Sequence, residues 1–288
     1  MSEERTSEQG ISEQPMSEQP ISEPIVTQEA VPEAAVKKPE RRGEEATLSE
    51  YMESLLVTVI LALFGTTFIV QAFKIPSASM EGTLLIGDHL LVNKFIFGGH
   101  GAWYEKLLPY RPLERGDIIV FKYPYLDHQH FVKRVIGLPG DRLKVEDQRV
   151  YVNGRALNEP YVVHDPGAGY DPLNYAFPPM GNQLYASPVI AEWAREIKKY
   201  VRGEEIVVPP GKYFAMGDNR DHSLDSRYWG FVDRDAIMGR PFLIYWSVEA
   251  NSADYGQTSF FQRLKSVVDT LLHLPQRTRW SRMLRTVH

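Results

Sequence analysis

The stretch KIPSASMEGTL, Lys74 to Leu84, sets two serines, Ser77 and Ser79, two residues apart directly after a long apolar run. A serine hydroxyl is a weak nucleophile until a neighbouring base takes its proton. His222 lies between Asp221 and Ser223 in GDNRDHSLDSR. Residues adjacent in sequence rarely point at one another, so no triad is readable from that run. His128 and His130, in YLDHQHF, alternate as strand neighbours do and could share a metal with Asp127, but no further ligand is recognisable. Lys133 stands among Phe131, Val132, Val135 and Ile136. An amine held in apolar surroundings loses its charge more easily and becomes a base near neutral pH. Each feature also has a plain structural account. Serines are common turn formers, and a strand lysine can extend its charge into water. The absence of cysteine excludes disulfides, thiolate metal sites and a cysteine nucleophile.

Groups 54 residues apart can meet only if the chain between them folds back, and the pattern beyond residue 74 is one of short strands. DHLLVNKF, GDIIVFKYP, HFVKRVIGLPGD, DRLKVEDQRVYVNGR, EEIVVPPGKYFAMGD and AIMGRPFLIYW are β-branched or aromatic and are punctuated by Gly, Pro and Asn-Gly. Asn153-Gly154 marks a tight turn. This implies a mainly β body, interrupted by a small helical insertion at about 156–203. Within it, DPGAGYDPLNYAFPP (165–179) reads as a loop. Ser187 and Pro188 then open a helix whose Val189, Ile190, Trp193, Ile197, Tyr200 and Val201 share a face, and Gly203 ends it.

The two ends of the chain differ from this body. Residues 1–48 contain a degenerate repeat, TSEQGISEQPMSEQPISEPI, without aromatics, and are expected to be a disordered tail. Residues 1–50 carry a balance of −7 and the other 238 a balance of +2, so electrostatics give no reason to expect nucleic-acid binding. Leu55 to Phe73 is uncharged over 19 residues, about 28 Å as a helix, so residues 49–73 are expected to form one transmembrane anchor. Lys37, Lys38, Arg41 and Arg42 would keep the N-terminus cytoplasmic and put residues 74–257 outside, in a single-pass protein of the cytoplasmic membrane. Residues 258–288 form a basic tail. Phe260, Phe261, Leu264, Val267, Val268, Leu271 and Leu272 keep helical spacing up to Pro275, and Trp280, Met283, Leu284 and Val287 repeat it among Arg277, Arg279, Arg282 and Arg285. Such a tail suits a lipid surface or the β domain equally.

PSASM (76–80), RGDIIVF (115–121), KRVIGLPGD (133–141) and GDNRDHSLDSRYWGFV (217–232) follow one another in this order behind the apolar segment. Over about residues 50–248 the chain resembles bacterial type I signal peptidases, serine endopeptidases with a Ser–Lys dyad, which implies an antiparallel β-sheet catalytic domain with a β-rich extension. The resemblance implies Ser79 as nucleophile, Lys133 as general base, and an oxyanion hole from the Ser77 hydroxyl and the Ser79 backbone N–H. It further implies that Ser223 orients the lysine amine, that Arg134 and Asp218 are a supporting ion pair, and that Asp225 and Arg227 belong to the same shell. His222 stands where the family often has Asn and receives no role. Neither metal nor cofactor is implied. The partners would be membrane lipid and secretory precursors with small-residue, A-x-A-like cleavage sites. Relatives that serve pilus assembly without cleaving typically lack one member of the dyad, and both members are present here. A membrane-tethered scaffold and a self-cleaving regulator are the remaining alternatives; the anchor and the lack of a DNA-binding segment oppose the latter.

Overall fold

The computed structural model describes residues 48–97, 110–125, 129–179, 188–250 and 274–288. A helix, α1 (Leu48–Phe64), continues into a π-helical turn at Gly65–Ile69. Helical backbone stops there because Val70 turns extended, and β1 (Val70–Lys74) pairs along its whole length with β2 (Asp88–Asn93). The helix expected over 49–73 is thus shorter. Val70–Phe73 satisfy their backbone groups in a sheet, opposite Asn93, Val92, Leu91 and Leu90, rather than in a helix. Among the described residues no helix is long and apolar enough to cross a membrane. Leu55, Ile60, Leu61 and Phe64 of α1 are exposed.

The described strands, β1 and β2 included, form two antiparallel sheets. The first has the order β1–β2–β13–β3–β4–β11–β12, with β3 at Ile118–Lys122, β4 at His130–Gly137, β11 at Lys212–Met216, β12 at Val232–Asp233 and β13 at Ile237–Ser247. The second runs β7–β6–β5–β10–β9, from β5 (Arg142–Glu146), β6 (Arg149–Val152), β7 (Arg155–Ala156), β9 (Val201–Arg202) and β10 (Glu205–Val207). The β6–β7 turn is the expected Asn153-Gly154, both with positive φ. Side chains from both sheets share one core, among them Ile119, Phe121 and Val135 from the first and Leu143, Val145 and Ile206 from the second. A smaller core gathers Ile75, Met80, Leu84, Leu90, Ile118, Ile244 and Val287.

The insertion holds more regular structure than its sequence suggests. Within 165–179 the Asp171 carboxylate accepts from the Leu173 N–H and caps a short helix, α2 (Pro172–Tyr175). β8 (Ala176–Phe177) then joins β5, and Leu173 and Phe177 enter the core. The one helix expected in the insertion is shorter than its pattern, α3 (Ala191–Glu196) plus a 3-10 turn to Lys199. Val201 lies in β9 because Gly203, at φ 66°, turns the chain so that Val201 pairs with Ile206. Ser187 lies outside the described residues, as does the apolar run at 260–272.

The end of the chain is not the expected amphipathic helix. It is a strap of α5 (Leu274–Arg277), a 3-10 turn at Trp280–Arg282 and β14 (Arg285–Thr286), which pairs with Leu243 and Ile244 of β13. Helical spacing is overridden because Val287 is drawn into the smaller core and Arg282 onto the buried Asp88.

Candidate active site

The segment carrying the serines is fixed at both ends. The Ile75 N–H donates to the Asp88 carbonyl and the Gly87 N–H to that of Ile75, both at 2.9 Å. Met80 and Leu84 are buried in the smaller core, and the Leu84 N–H closes on the Met80 carbonyl at 2.8 Å. Between these anchors a 3-10 turn, Ala78–Met80, leaves Ser79 only 8% exposed, while Ser77 stays in solvent with its Oγ 3.5 Å from the Ser79 Oγ.

Lys133 reaches this turn from β4, where it stands opposite Ile119 of β3. Its Nζ donates to the Ser79 Oγ at 2.6 Å. β4 is buried on both faces from Lys133 to Gly137, Lys133 as a residue is 3% exposed, and the Phe131 ring centroid lies 5.5 Å from its amine. Burial lowers the amine pKa to about 8, against the raising influence of Asp225 and Asp218 and with help from Arg227.

The loop after β11 supplies the remaining wall. Asp218 holds Arg134 through paired bonds, Nε to Oδ1 at 2.8 Å and Nη2 to Oδ2 at 2.7 Å, with both side chains buried. Asp225 holds Arg227 in the same way at 2.8 Å and caps α4 (Ser226–Trp229). Burial alone would raise the Asp225 carboxyl, but the charge and hydrogen bonds of Arg227 keep it below its ordinary value. The Asn219 N–H donates to the Ser79 carbonyl at 3.2 Å. Gly217 is required by close approach. A Cβ there would meet the Ser223 Oγ at 2.3 Å and the Ser79 carbonyl oxygen at 2.4 Å.

The eight residues to which the resemblance gives a role therefore stand in or around one cluster. Ser223 is buried beside Gly217, yet its Oγ has no hydrogen-bond partner, and no bond to Lys133 is formed. His222 turns away to Asp165, 2.8 Å from Nε2, while His164 meets Asp221 at 3.2 Å. Sequence reasoning missed Thr83, which donates to the Asp218 Oδ2 at 2.6 Å, and Tyr161, whose ring lies 4.0 Å from the Arg134 guanidinium. It also missed the buried pair of Arg220 with Glu159. Thr83, Glu159 and Tyr161 stand outside the four motifs, and Arg220, though inside GDNRDHSLDSRYWGFV, has its partner Glu159 61 residues away. Among the described residues no cluster of three or more His, Asp or Glu is placed to hold a metal ion, and Asp127 and His128 lie outside them.

Residues 48–246 match the family model described as signal peptidase, peptidase S26. Signal peptidase I of Pseudomonas aeruginosa is 34% identical over 226 residues, 72% of this chain and 76% of that protein. Signal peptidase I of Aquifex aeolicus is 32% identical over 248 residues, 76% of this chain and 92% of that protein. A probable signal peptidase I-2 of Synechocystis sp. is 34% identical over 216 residues, 73% of this chain and 79% of that protein. A buried lysine on a buried serine, in a chain so matched along most of its length, leads to one assignment: the chain belongs to the signal peptidase family, peptidase S26.

Proposed function

We propose that Ser79 is the nucleophile and Lys133 the general base with which this serine endopeptidase removes signal peptides. The observation that carries this reading is the 2.6 Å contact between the Lys133 Nζ and the Ser79 Oγ. It lies inside a site that lowers the amine pKa to about 8. Once the amine is neutral the bond reverses, and the Ser79 Oγ–H donates to Nζ. The Ser79 Oγ attacks the scissile carbonyl as its proton passes to Nζ, and the resulting ammonium returns that proton to the departing amine. Water then hydrolyses the acyl-enzyme by the same route.

The tetrahedral oxyanion is assigned to the Ser77 hydroxyl and the Ser79 N–H. Losing one donor of this kind costs about 3 kcal/mol of transition-state stabilisation. Ser223, buried and with its hydrogen-bonding capacity unused, is assigned to the lysine amine, which it would meet by rotating once substrate arrives. Arg134 with Asp218 and Arg227 with Asp225 keep the surrounding charges paired, so Lys133 is the ionisable group free to change state during turnover.

The substrates on this reading are secretory precursors with small residues at the cleavage site, held extended beside the dyad. The exposed apolar residues of α1 and the preceding Lys37, Lys38, Arg41 and Arg42 support an anchor with a cytoplasmic N-terminus and an extracytoplasmic catalytic body. Because β1 starts directly after the helical segment, the sheet edge would stand at the lipid surface. The strap, with exposed Trp280 and Leu284 and several arginines, is the second element assigned to that surface.

The test is cleavage of a purified precursor by the detergent-solubilised protein from pH 6 to 10. Wild type should cut after the small-residue motif. Ser79→Ala, Lys133→Ala and Lys133→Arg should give no turnover while remaining folded, the last because a guanidinium stays charged. Ser223→Ala should be slower by a smaller factor. Cleavage by folded Lys133→Ala at the wild-type rate would remove the dyad.

A further inference from the structure

The stretch Asn158 to Asp165, NEPYVVHD, belongs to the insertion and to none of the four motifs, yet it runs along the back of the dyad. The Val163 N–H donates to the Asp218 carbonyl at 2.9 Å, and the Arg220 N–H donates to the Val163 carbonyl at 3.1 Å. Val163 thereby bridges in parallel to Asn219, whose own N–H holds the Ser79 carbonyl. Val163 also lies on Gly82 of the serine turn. A Cβ at Gly82 would meet the Val163 Cγ2 at 2.7 Å and the Tyr161 carbonyl oxygen at 3.4 Å, so a glycine is what lets this segment sit so close. Two positions earlier, the Tyr161 ring covers the Arg134 guanidinium at 4.0 Å, on the pair that Arg134 makes with Asp218. The Tyr161 hydroxyl donates to the Glu159 Oε1 at 3.1 Å. Glu159 is tied to the buried Arg220, whose Nε donates to the Gly217 carbonyl at 3.1 Å.

We propose that Glu159, Tyr161 and Val163 form a positioning rail for the peptidase reaction, in which the Tyr161 ring keeps water from the Arg134–Asp218 pair and so from the neighbouring amine. The proposal rests on the reading of Lys133 as the base. The ionisable groups facing that amine are Asp218, Asp225 and Arg227, with Ser79 and the Phe131 ring as its uncharged neighbours. Arg134 in turn meets Asp218, Thr83, the Gly116 and His288 carbonyls and the Tyr161 ring. The ring is the apolar cover of this set. Removing it admits water, and a hydrated site favours the ammonium form. Because turnover needs the neutral amine, the acid limb of kcat must then move to higher pH, with the loss confined to the limb and recovered on the alkaline plateau.

The experiment measures kcat and KM on a precursor from pH 6 to 10 for wild type, Tyr161→Phe, Tyr161→Met and Lys133→Ala in the full chain, with active enzyme counted by titration. Tyr161→Phe keeps the ring and should overlay wild type within about twofold, which is the conservative rescue. Tyr161→Met fills the volume without an aromatic face. It should move the acid limb up by half a pH unit or more, lowering kcat at pH 7 about threefold or more with KM changed less than twofold. A Tyr161→Met limb that coincides with wild type overturns the rail, whatever happens to the yield of folded protein. Should Tyr161→Met not fold, Val163→Ala thins the contact with Gly82 and keeps the ring. A fivefold lower kcat at constant KM supports the rail, and an unchanged kcat overturns it. Failure of the base reading is seen separately, as an acid limb that survives in Lys133→Ala.

Discussion

At the scale of single residues, the decisive group is a lysine that the fold makes uncomfortable. FVKRVI reads equally as a surface strand with its charge in water or as a buried base, and periodicity cannot choose between them. The choice is made by neighbours far away in sequence: β3 and β11 flank β4, and burial covers both of its faces from Lys133 onward. The pH consequence has a definite sign. With the amine at about 8, cleavage should rise through that pH and level off above it, since the protonated form cannot accept the Ser79 proton. Stability moves in the same direction. A lysine whose folded pKa lies below its unfolded value withholds stability below pH 8, and stability increases as pH rises from about 8 towards 10.5. Lys133→Met should therefore abolish turnover and still raise stability at pH 7 by roughly 3 kcal/mol, read from urea unfolding. No gain in stability at pH 7 would contradict the lowered pKa. Ser79 was singled out through its motif, and the structure places the Lys133 amine 2.6 Å from its hydroxyl. The unpartnered Ser223 hydroxyl was not legible, because orientation of a rotor is not written in sequence.

At the scale of elements, the strands were the readable part, since alternating β-branched and aromatic residues between Gly and Pro turns do not depend on distant partners. Boundaries were lost where such partners intervene. Val70–Phe73 leave the apolar helix for the sheet because β2 offers backbone partners, and Val201 leaves its helix for Ile206. The loop around Gly217 is the element on which the site depends most. It must pass between Ser223 and the carbonyl of Ser79 with no room for a methyl group. Gly217→Ala should cost about 1–3 kcal/mol in stability through overpacking. Because the displaced atom belongs to Ser79, the proposed nucleophile, it should also lower kcat by about a hundredfold. The two effects are separable by measuring kcat on titrated, folded enzyme. A variant that loses stability and keeps kcat would show that the Ser79 turn tolerates the shift.

At the scale of the whole molecule, the strap binds the end of the chain to the serine turn. Arg282 donates to the Asp88 Oδ2 at 2.6 Å and to the Thr83 carbonyl at 3.0 Å, while the Ser247 hydroxyl donates to the Asp88 Oδ1 at 2.6 Å. Asp88 is fully buried, so Arg282→Ala leaves its charge with one hydroxyl and one N–H and should cost about 3 kcal/mol. Urea midpoints of wild type and Arg282→Ala would show it, and equal midpoints would mean that water replaces the guanidinium. The basic spacing of this segment was visible in the sequence, but its destination was not, because Asp88 lies 194 residues upstream. The pairing of β13 with β2 has a consequence in time. The sheet that carries Ser79 closes only when Ile237–Ser247 is present, and its turn is pinned only when Arg282 has arrived. A chain leaving the ribosome therefore carries its serine long before it carries the means to hold it. Such long-range pairings close late in folding. The serine turn thus acquires its rigidity only after the strand and the strap that hold it have been made.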